Sequence, residues 1–394
     1  MNYPTPLAVI CLTILAFFSV ALMAKWDRSE DAAASRFMSI DGLRGYLAFF
    51  VFVHHAAVWL IYSHTGLWQL PPSYLYTQLG QSSVSLFFMI TSFLFYTKLL
   101  DSRGQNYDWN AFFIGRFFRL TPLYFFAIGV LFLFVAILSK GIWHDSFRYV
   151  LRCLLEWITF TLVRAPDINQ IPAHLIVAGV TWSLPYEWMF YFSLPLFAVT
   201  AGQRVKWRLL LMATAMLLLS VVLHMSLHMA FVFAGGIFSA LIVRNQRFCG
   251  LARTKTGSTL ALVALLSVTA FPTAYEWLPL ALLTLAFSLI AGGASLFGLL
   301  TNNTSRRLGE LAYSIYLLHG ILLFLVINWL VGRSAVITMS PLQFWMLIGV
   351  VVPPLLGIAT LTFRYIEKPG ITLAKKVLAL RSSWRNAIHG QHFT

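Results

Sequence analysis

Apolar blocks of about 20 residues follow one another from end to end of the chain, parted by short basic stretches. Blocks of that length can cross hydrocarbon, where every backbone polar group must be satisfied within the segment, and a helix does this. Of the 394 residues, 59% are hydrophobic and 10% are charged. A typical soluble domain carries roughly 25% charge and 45–50% apolar residues. The contrast excludes an ordinary soluble enzyme and an intrinsically disordered chain. A mean hydropathy of +0.78 is too high for one anchor on a soluble body. The sequence therefore reads as an all-α polytopic membrane protein.

Candidate spans lie at roughly 5–24, 41–62, 80–100, 119–138, 182–200, 207–223, 225–243, 257–273, 278–299, 308–330 and 343–364. The stretch 148–163 carries Arg148, Arg152 and Glu156, and either spans or lies along the interface. The positive-inside rule decides between the two. If the stretch does not span, the clusters Lys25/Arg28/Arg36, Lys98/Arg103/Arg116/Arg119, Arg204/Lys206/Arg208, Arg244/Arg247/Arg253/Lys255 and Arg306/Arg307 share one side with the tail after Arg364. If it spans, every later loop flips and the rule fails repeatedly. The expectation is eleven spans, with the N-terminus outside and the C-terminus cytoplasmic. Residues 139–181 then form one long external segment, a length that usually marks function.

The net charge is +15, from 28 Lys+Arg against 13 Asp+Glu. Most of this excess reads as the basic loops of a membrane protein. Scattering between apolar blocks, with no continuous basic stripe, argues against nucleic acid. Cys11, Cys153 and Cys249 show neither zinc spacing nor a disulfide framework, so no metal is expected. Residues 5–24 lack a basic lead-in and an A-x-A-like cleavage site, and read as a retained span. The short basic tail 371–394 is partly amphipathic and suits anionic lipid.

Ionisable residues within spans are rare and costly, so each is a functional candidate. Arg44 and His55 are eleven positions apart, three helical turns plus roughly 20°, and share one face. The rise between them is about 16 Å, from the rim to the middle of a bilayer. His54 faces elsewhere. Asp41, one turn before Arg44, reads as its ion-pair partner. Arg116 and Arg119, in IGRFFRLTPLY, share a face near the start of a helix. They serve either as a positive-inside anchor or as a bidentate phosphate clamp. Pro122 fits the first turn of that helix. Glu187, in TWSLPYEWMFYFSLP, lies one turn inside a span and is either a structural acceptor or a substrate contact. Trp182, Tyr186, Trp188 and Tyr191 around it form either an interfacial belt or a sugar platform. His319, in LGELAYSIYLLHGILL, sits at the depth of His55, close to Tyr313 and Tyr316. Packing and function are both open for it. Glu367, beside Arg364 and Lys368 in RYIEKP, reads as part of a capping salt-bridge cluster.

In this order, DGLRG, Arg44 followed at eleven residues by His55, SLFFMITSFLF, the RFFR pair, WSLPYEWMFY, YSIYLLH and YIEKP resemble the acyltransferase family 3 membrane proteins, from Ser39 to about Pro369. That family mostly O-acylates cell-surface sugars. The resemblance implies a ten-helix acyltransferase core over 36–370, preceded by an extra transmembrane helix and cytoplasmic linker in 1–35, with 371–394 as the tail. It carries Arg44 and His55 over as the arginine–histidine motif, and Arg116 and Arg119 as the paired-arginine motif. Glu187 matches the acidic position after Trp-Ser-Leu, and His319 the histidine closing the tyrosine-rich helix. One departure is Ser92, which stands where the family usually has glycine, so close backbone approach there is in question. The family's optional esterase-like domain is not expected.

The resemblance implies an O-acyltransferase of a bacterial inner membrane, with no permanently bound cofactor and acetyl-CoA as donor substrate. Arg44, Arg116 and Arg119 would hold the donor's phosphates. His55, Glu187 and His319 form the expected catalytic set, with His55 as base or as a transient acyl carrier. Trp182, Tyr186 and Tyr316 are expected to touch substrate, and the partners are acyl-CoA, a carbohydrate acceptor and lipid. A transporter or flippase is the competing class, since it too needs midplane histidines and rim arginines. No repeated half or broken helix pair is visible to favour it.

Overall fold

The computed structural model describes residues 6–26, 36–104 and 107–390, with backbone only for 25–26 and 382–390. Helices dominate, and among the described residues the sole β feature is an isolated bridge between Ile168 and Ile171. The first four helices are α1 (Pro6–Trp26), α2 (Met38–Thr65), α3 (Tyr74–Asp101) and α4 (Trp109–Leu138). Two short helices, α5 (Phe147–Ile158) and α6 (Ala173–Ile176), precede α7 (Ser183–Thr200), α8 (Trp207–Val222) and α9 (Leu227–Ile242). The remainder is α10 (Gln246–Ala252), α11 (Lys255–Val268), α12 (Trp277–Gly292), α13 (Asn303–Glu310), α14 (Ala312–Phe324), α15 (Arg333–Thr338), α16 (Pro341–Thr362) and α17 (Lys368–Gly390).

Each of the eleven expected spans coincides with one of these helices or with a pair of them. By length and hydropathy, six helices among the described residues can cross a membrane, or seven if α9 and α10, bent by 106°, act as one. The chain is a multi-pass, all-α membrane protein. The apolar helices α8, α11 and α12 have only 16, 14 and 16 residues, short of the roughly 20 that a span needs. Arg28 and the linker 27–35 lie outside the described residues.

Helix α2 is the axis of the bundle, buried along nearly its whole length. Small residues let its neighbours close in. A Cβ on Gly45 would stand 2.6 Å from the backbone nitrogen of Gly309 on α13, so glycine at both positions lets the backbones meet. The glycines of DGLRG thereby fix the rotation of α2 that sets Arg44. Peripheral α1 offers α16 only a stripe of Val9, Leu12, Ala16 and Val20.

The departure at Ser92 is resolved by its partner helix. Ser92 is fully buried on α3, and a Cβ at Gly236 of α9 would lie 2.1 Å from its Oγ and 2.2 Å from the carbonyl of Met89. The close approach is kept, with the glycine on the opposite helix. Gly236→Ala is expected to cost about 1–3 kcal/mol by overpacking. A lower Tm of the purified chain is the readout, and an unchanged Tm would refute the tight α3–α9 seam.

Two boundaries differ from expectation. Helix α4 begins at Trp109, capped by Asp108, whose carboxylate accepts from Ala111 N at 3.0 Å. Arg116 and Arg119 therefore stand about two and about three turns inside the helix, and Pro122 is interior. The last span runs on: α16 passes through a π-helical turn, Phe363–Glu367, directly into α17.

The stretch 148–163 does not span. Helix α5 has 12 residues, about 18 Å against a hydrocarbon core of about 30 Å. It buries Val150, Cys153 and Trp157 on one face. The Trp157 indole donates to Pro166 O at 2.9 Å, and Asn169 ties back to residues 142–145. The 139–181 segment is thus folded onto itself. Glu156 accepts from Arg152 at 3.0 Å and from Arg164 at 2.6 Å. Burial pushes its carboxyl up, but hydrogen bonds from Arg164 and Arg152 outweigh that and hold it below the usual carboxylate range. This contribution is complete above the ordinary glutamate value and is lost as pH falls through the depressed folded value. Both arginines are solvent-exposed, so the acid-side drop in Tm is small. Glu156→Gln is expected to flatten it, and an identical acid limb in both proteins would refute the assignment.

Candidate active site

Beside α2 lies a cavity of about 260 Å3. Arg44 enters it from α2, Arg116 and Arg119 from α4, Glu187 and Tyr191 from α7, and Tyr313 and Tyr316 from α14. Residues of α3, among them Phe87, Phe88, Thr91 and Leu94, also line it. The three expected donor-site arginines therefore converge on one chamber, and Glu187 shares it with them.

The arginines are not equivalent. Arg116 packs over the Phe95 ring, 4.9 Å from its centroid. Tyr191 donates to Glu187. The Phe95 ring also packs against Tyr191 at 5.4 Å, and the Tyr191 bond uses one oxygen of Glu187. Among the described residues, neither Arg44 nor Arg119 has a hydrogen bond or ion pair, although both line the cavity. Guanidiniums enclosed by protein without an acceptor favour an anionic occupant.

At one end of the cavity stands Tyr316. Its hydroxyl donates to Val180 O at 3.0 Å and receives the Ser183 hydroxyl at 2.8 Å. One turn further along α14 is His319, fully buried, with its ring 6.3 Å from that of Tyr316. Close packing is possible because the next residue is glycine: a Cβ on Gly320 would stand 2.4 Å from the backbone of Val177. The segment just before α7 thus presses on the histidine turn.

His319 Nε2 lies 2.9 Å from His55 Nδ1. The pair adjoins the cavity without lining it. Its tautomers follow from its other partners. His319 Nδ1 is 2.9 Å from Ile315 O, and His55 Nδ1 is 3.1 Å from Val51 O. Carbonyls only accept, so in the neutral pair both Nδ1 atoms carry hydrogen. His55 Nδ1–H then divides between Val51 O and His319 Nε2. The nitrogen left with an open lone pair is His55 Nε2. Trp68 stacks on the His55 ring at 6.4 Å and meets His174 edge-on at 6.2 Å.

The remaining expectations divide. Trp182 and Tyr186 do not line the cavity; they gather around Phe88, with ring centroids at 6.3 and 6.2 Å. The Tyr186 hydroxyl accepts from Ser226 N at 3.1 Å, a tie to the α8–α9 turn. His54 faces away from the pair's hydrogen bond, as its helical angle requires, and donates to Tyr76 O at 2.7 Å. Glu367 is no terminal capping group. It is 1% exposed and accepts from Ser314 on α14. Tyr191, which the sequence left open between an interfacial belt and a sugar platform, lines the cavity one turn after Glu187. Sequence reasoning missed Trp68, for which a loop tryptophan gives no signal.

One family's sequence model, described as an acyltransferase domain (Acyl_transf_3), matches residues 37–362. Among curated proteins and among solved structures, nothing matches the chain.

Proposed function

The chain belongs to this acyltransferase family, and from that premise we propose that it moves an acetyl group from cytoplasmic acetyl-CoA to a hydroxyl of an exported or cell-surface glycan. It works in a bacterial inner membrane, with its C-terminus in the cytoplasm. The basic clusters of its loops support that orientation. The single observation that carries the mechanism is the open lone pair of His55 Nε2, fixed by the His55–His319 hydrogen bond.

Arg44 and Arg119 receive the phosphates of the donor, with Arg116 beside them over the Phe95 ring. The thioester end passes Tyr316 toward the histidines. His55 Nε2 takes the proton of the acceptor hydroxyl as its oxygen attacks the thioester carbonyl. The tetrahedral species collapses, the C–S bond breaks, and the proton on His55 goes to the departing CoA sulfur. His319 accepts from His55 Nδ1–H, holds the reactive tautomer and stabilises the transient imidazolium. Glu187 and the 139–181 segment contact the acceptor. Trp68 is a stacking surface beside the base.

The test is ester-linkage analysis of surface polysaccharide by NMR, before and after mild base. Cells with the wild-type chain, with His55→Ala and with no protein are compared. Loss of one defined ester in both deficient strains, with the variant present in the membrane, supports the reading and names the acceptor. No ester difference between any of the strains would refute a polysaccharide acceptor.

A further inference from the structure

A second line of groups leaves the histidine pair, away from the arginine cavity and toward the 139–181 segment. Helix α2 ends on Gly66, whose φ is 73° and whose N–H bonds Tyr62 O at 2.9 Å. That left-handed turn folds the chain back, and half-buried Trp68 packs on the helix it has just left. Its ring meets those of Trp59 at 5.3 Å and Tyr62 at 5.8 Å, besides stacking on His55. Arg333 pins this end of α2. It lies over the Tyr62 ring and donates to Tyr62 O at 2.8 Å and Ser63 O at 3.2 Å.

Trp59 follows His55 by one turn on the same face of α2. It is fully buried, yet its indole N–H has no acceptor among the described residues. An unpaired buried donor is costly, and an oxygen brought by a ligand would satisfy it. Trp68 thus touches two rings with complementary needs: His55 Nε2 offers a lone pair, and Trp59 Nε1 offers a hydrogen. A single hydroxyl group answers both, since it donates and accepts.

The line continues outward. Trp68 meets His174, whose Nδ1 is 3.5 Å from Asp167 Oδ1. The same oxygen accepts from Ala173 N at 3.1 Å. Asp167 also borders a cleft of about 400 Å3, lined besides by Asp145, Ser146, Tyr149 and Gln170. Gln170 reaches only Oδ1 of Asp145, at 3.4 Å. Among the described residues, Oδ2 of both aspartates has no hydrogen bond, and no Lys or Arg lines the cleft. Carboxylates only accept, so the cleft suits a ligand rich in hydroxyls and repels an anionic one.

We infer that these groups form the acceptor site, and that it takes a neutral glycan. One sugar residue packs against Trp68, with a hydroxyl bridging Trp59 Nε1–H and His55 Nε2. Neighbouring residues of the same glycan reach His174, Asp167 and the cleft at Asp145. Donor and acceptor sites are then separate and meet at the histidine pair. The acceptor role rests on the proposed acyl transfer; glycan binding does not.

The probe is surface polysaccharide from cells lacking the protein, de-esterified with mild base and cut to short oligosaccharides with mild acid. Anion exchange parts it into neutral and anionic fractions. Binding to the full chain in detergent is followed by saturation-transfer NMR without acetyl-CoA. The neutral fraction is expected to bind wild type. Trp59→Phe, which removes the N–H, Trp68→Leu and Asp167→Asn are each expected to weaken binding on the order of tenfold. Asp145→Asn, at the outer cleft, is expected to weaken it less and replaces any variant that does not accumulate. Wild-type affinity in these variants, binding of the anionic fraction alone, or no binding to wild type would overturn the proposal. Binding lost on adding EDTA would assign the carboxylates to a cation and overturn it too. CoA release from acetyl-CoA separates site from reaction. If wild type binds the neutral fraction but releases no CoA with it, the acyl-CoA reading fails and the glycan site stands. If CoA is released with an acceptor KM equal in wild type and variants, the reaction stands and the site falls.

Discussion

Replacing His55 by Ala is expected to lower acyl transfer on the order of 10²–10⁴-fold, the range that a positioned general base supplies. The expectation rests on tautomers as well as proximity. His55 Nδ1–H is shared by Val51 O at 3.1 Å and His319 Nε2 at 2.9 Å, so Nε2 stays a lone-pair acceptor. His319→Ala removes one of those acceptors and leaves His55 in place. Its effect is expected to be smaller, about 10–100-fold, as for an orienting partner. His319→Asn keeps a carbonyl oxygen that can accept from Nδ1–H and is expected to retain more activity than His319→Ala. The measurement is release of CoA from acetyl-CoA by the purified chain with acceptor present, normalised to folded protein. Wild-type turnover in His55→Ala would remove His55 as the base. Equal activities in the two His319 variants would remove the orienting role.

The single-face argument on α2 was legible because helical geometry is local. Eleven residues bring Arg44 and His55 to one side, and both turn inward, one to the cavity and one to His319. The partnership across 264 residues was not legible, since one sequence's periodicity does not say which faces meet. Matching depth was the only hint. Glu187 was legible as a carboxylate one turn inside a span, but not as a neighbour of the arginines, because its depth was counted from the opposite end of the bundle.

Other readings failed for physical reasons that can be named. The first turns of α4 carry Asn110 and Arg116 among aromatics, so hydropathy delayed the start and made Pro122 seem N-terminal. Glu367 lies between Arg364 and Lys368, a pattern shared with exposed helix ends. The π-helical turn that takes it inside leaves no mark in residue type. Ser92 seemed to forfeit a close approach because one helix was read alone; Gly236 supplies the missing space from the other.

Arg119 carries the second large effect. Arg116 and Arg119 are three residues apart and look interchangeable in sequence, yet of the two only Arg116 packs over an aromatic ring, that of Phe95. Arg119 has no hydrogen bond or ion pair among the described residues. A charged hydrogen bond is worth about 1.5–3 kcal/mol. Arg119→Gln is therefore expected to weaken the donor's apparent affinity roughly 10–150-fold, with kcat less affected because the base lies beyond Tyr316. Arg119→Lys keeps the charge but loses the planar fork, and is expected to recover only part of the loss. Arg116→Gln removes the cation over Phe95, whose ring packs against Tyr191, the donor to Glu187, so its loss is expected to appear in kcat as well as KM. Steady-state kinetics over a range of acetyl-CoA, at two ionic strengths, separates these outcomes. A donor KM unchanged in Arg119→Gln would mean that the cavity does not receive the donor's phosphates. A KM increase that fades as salt rises is the mark of an anion held by this guanidinium, since added ions weaken the wild-type attraction first.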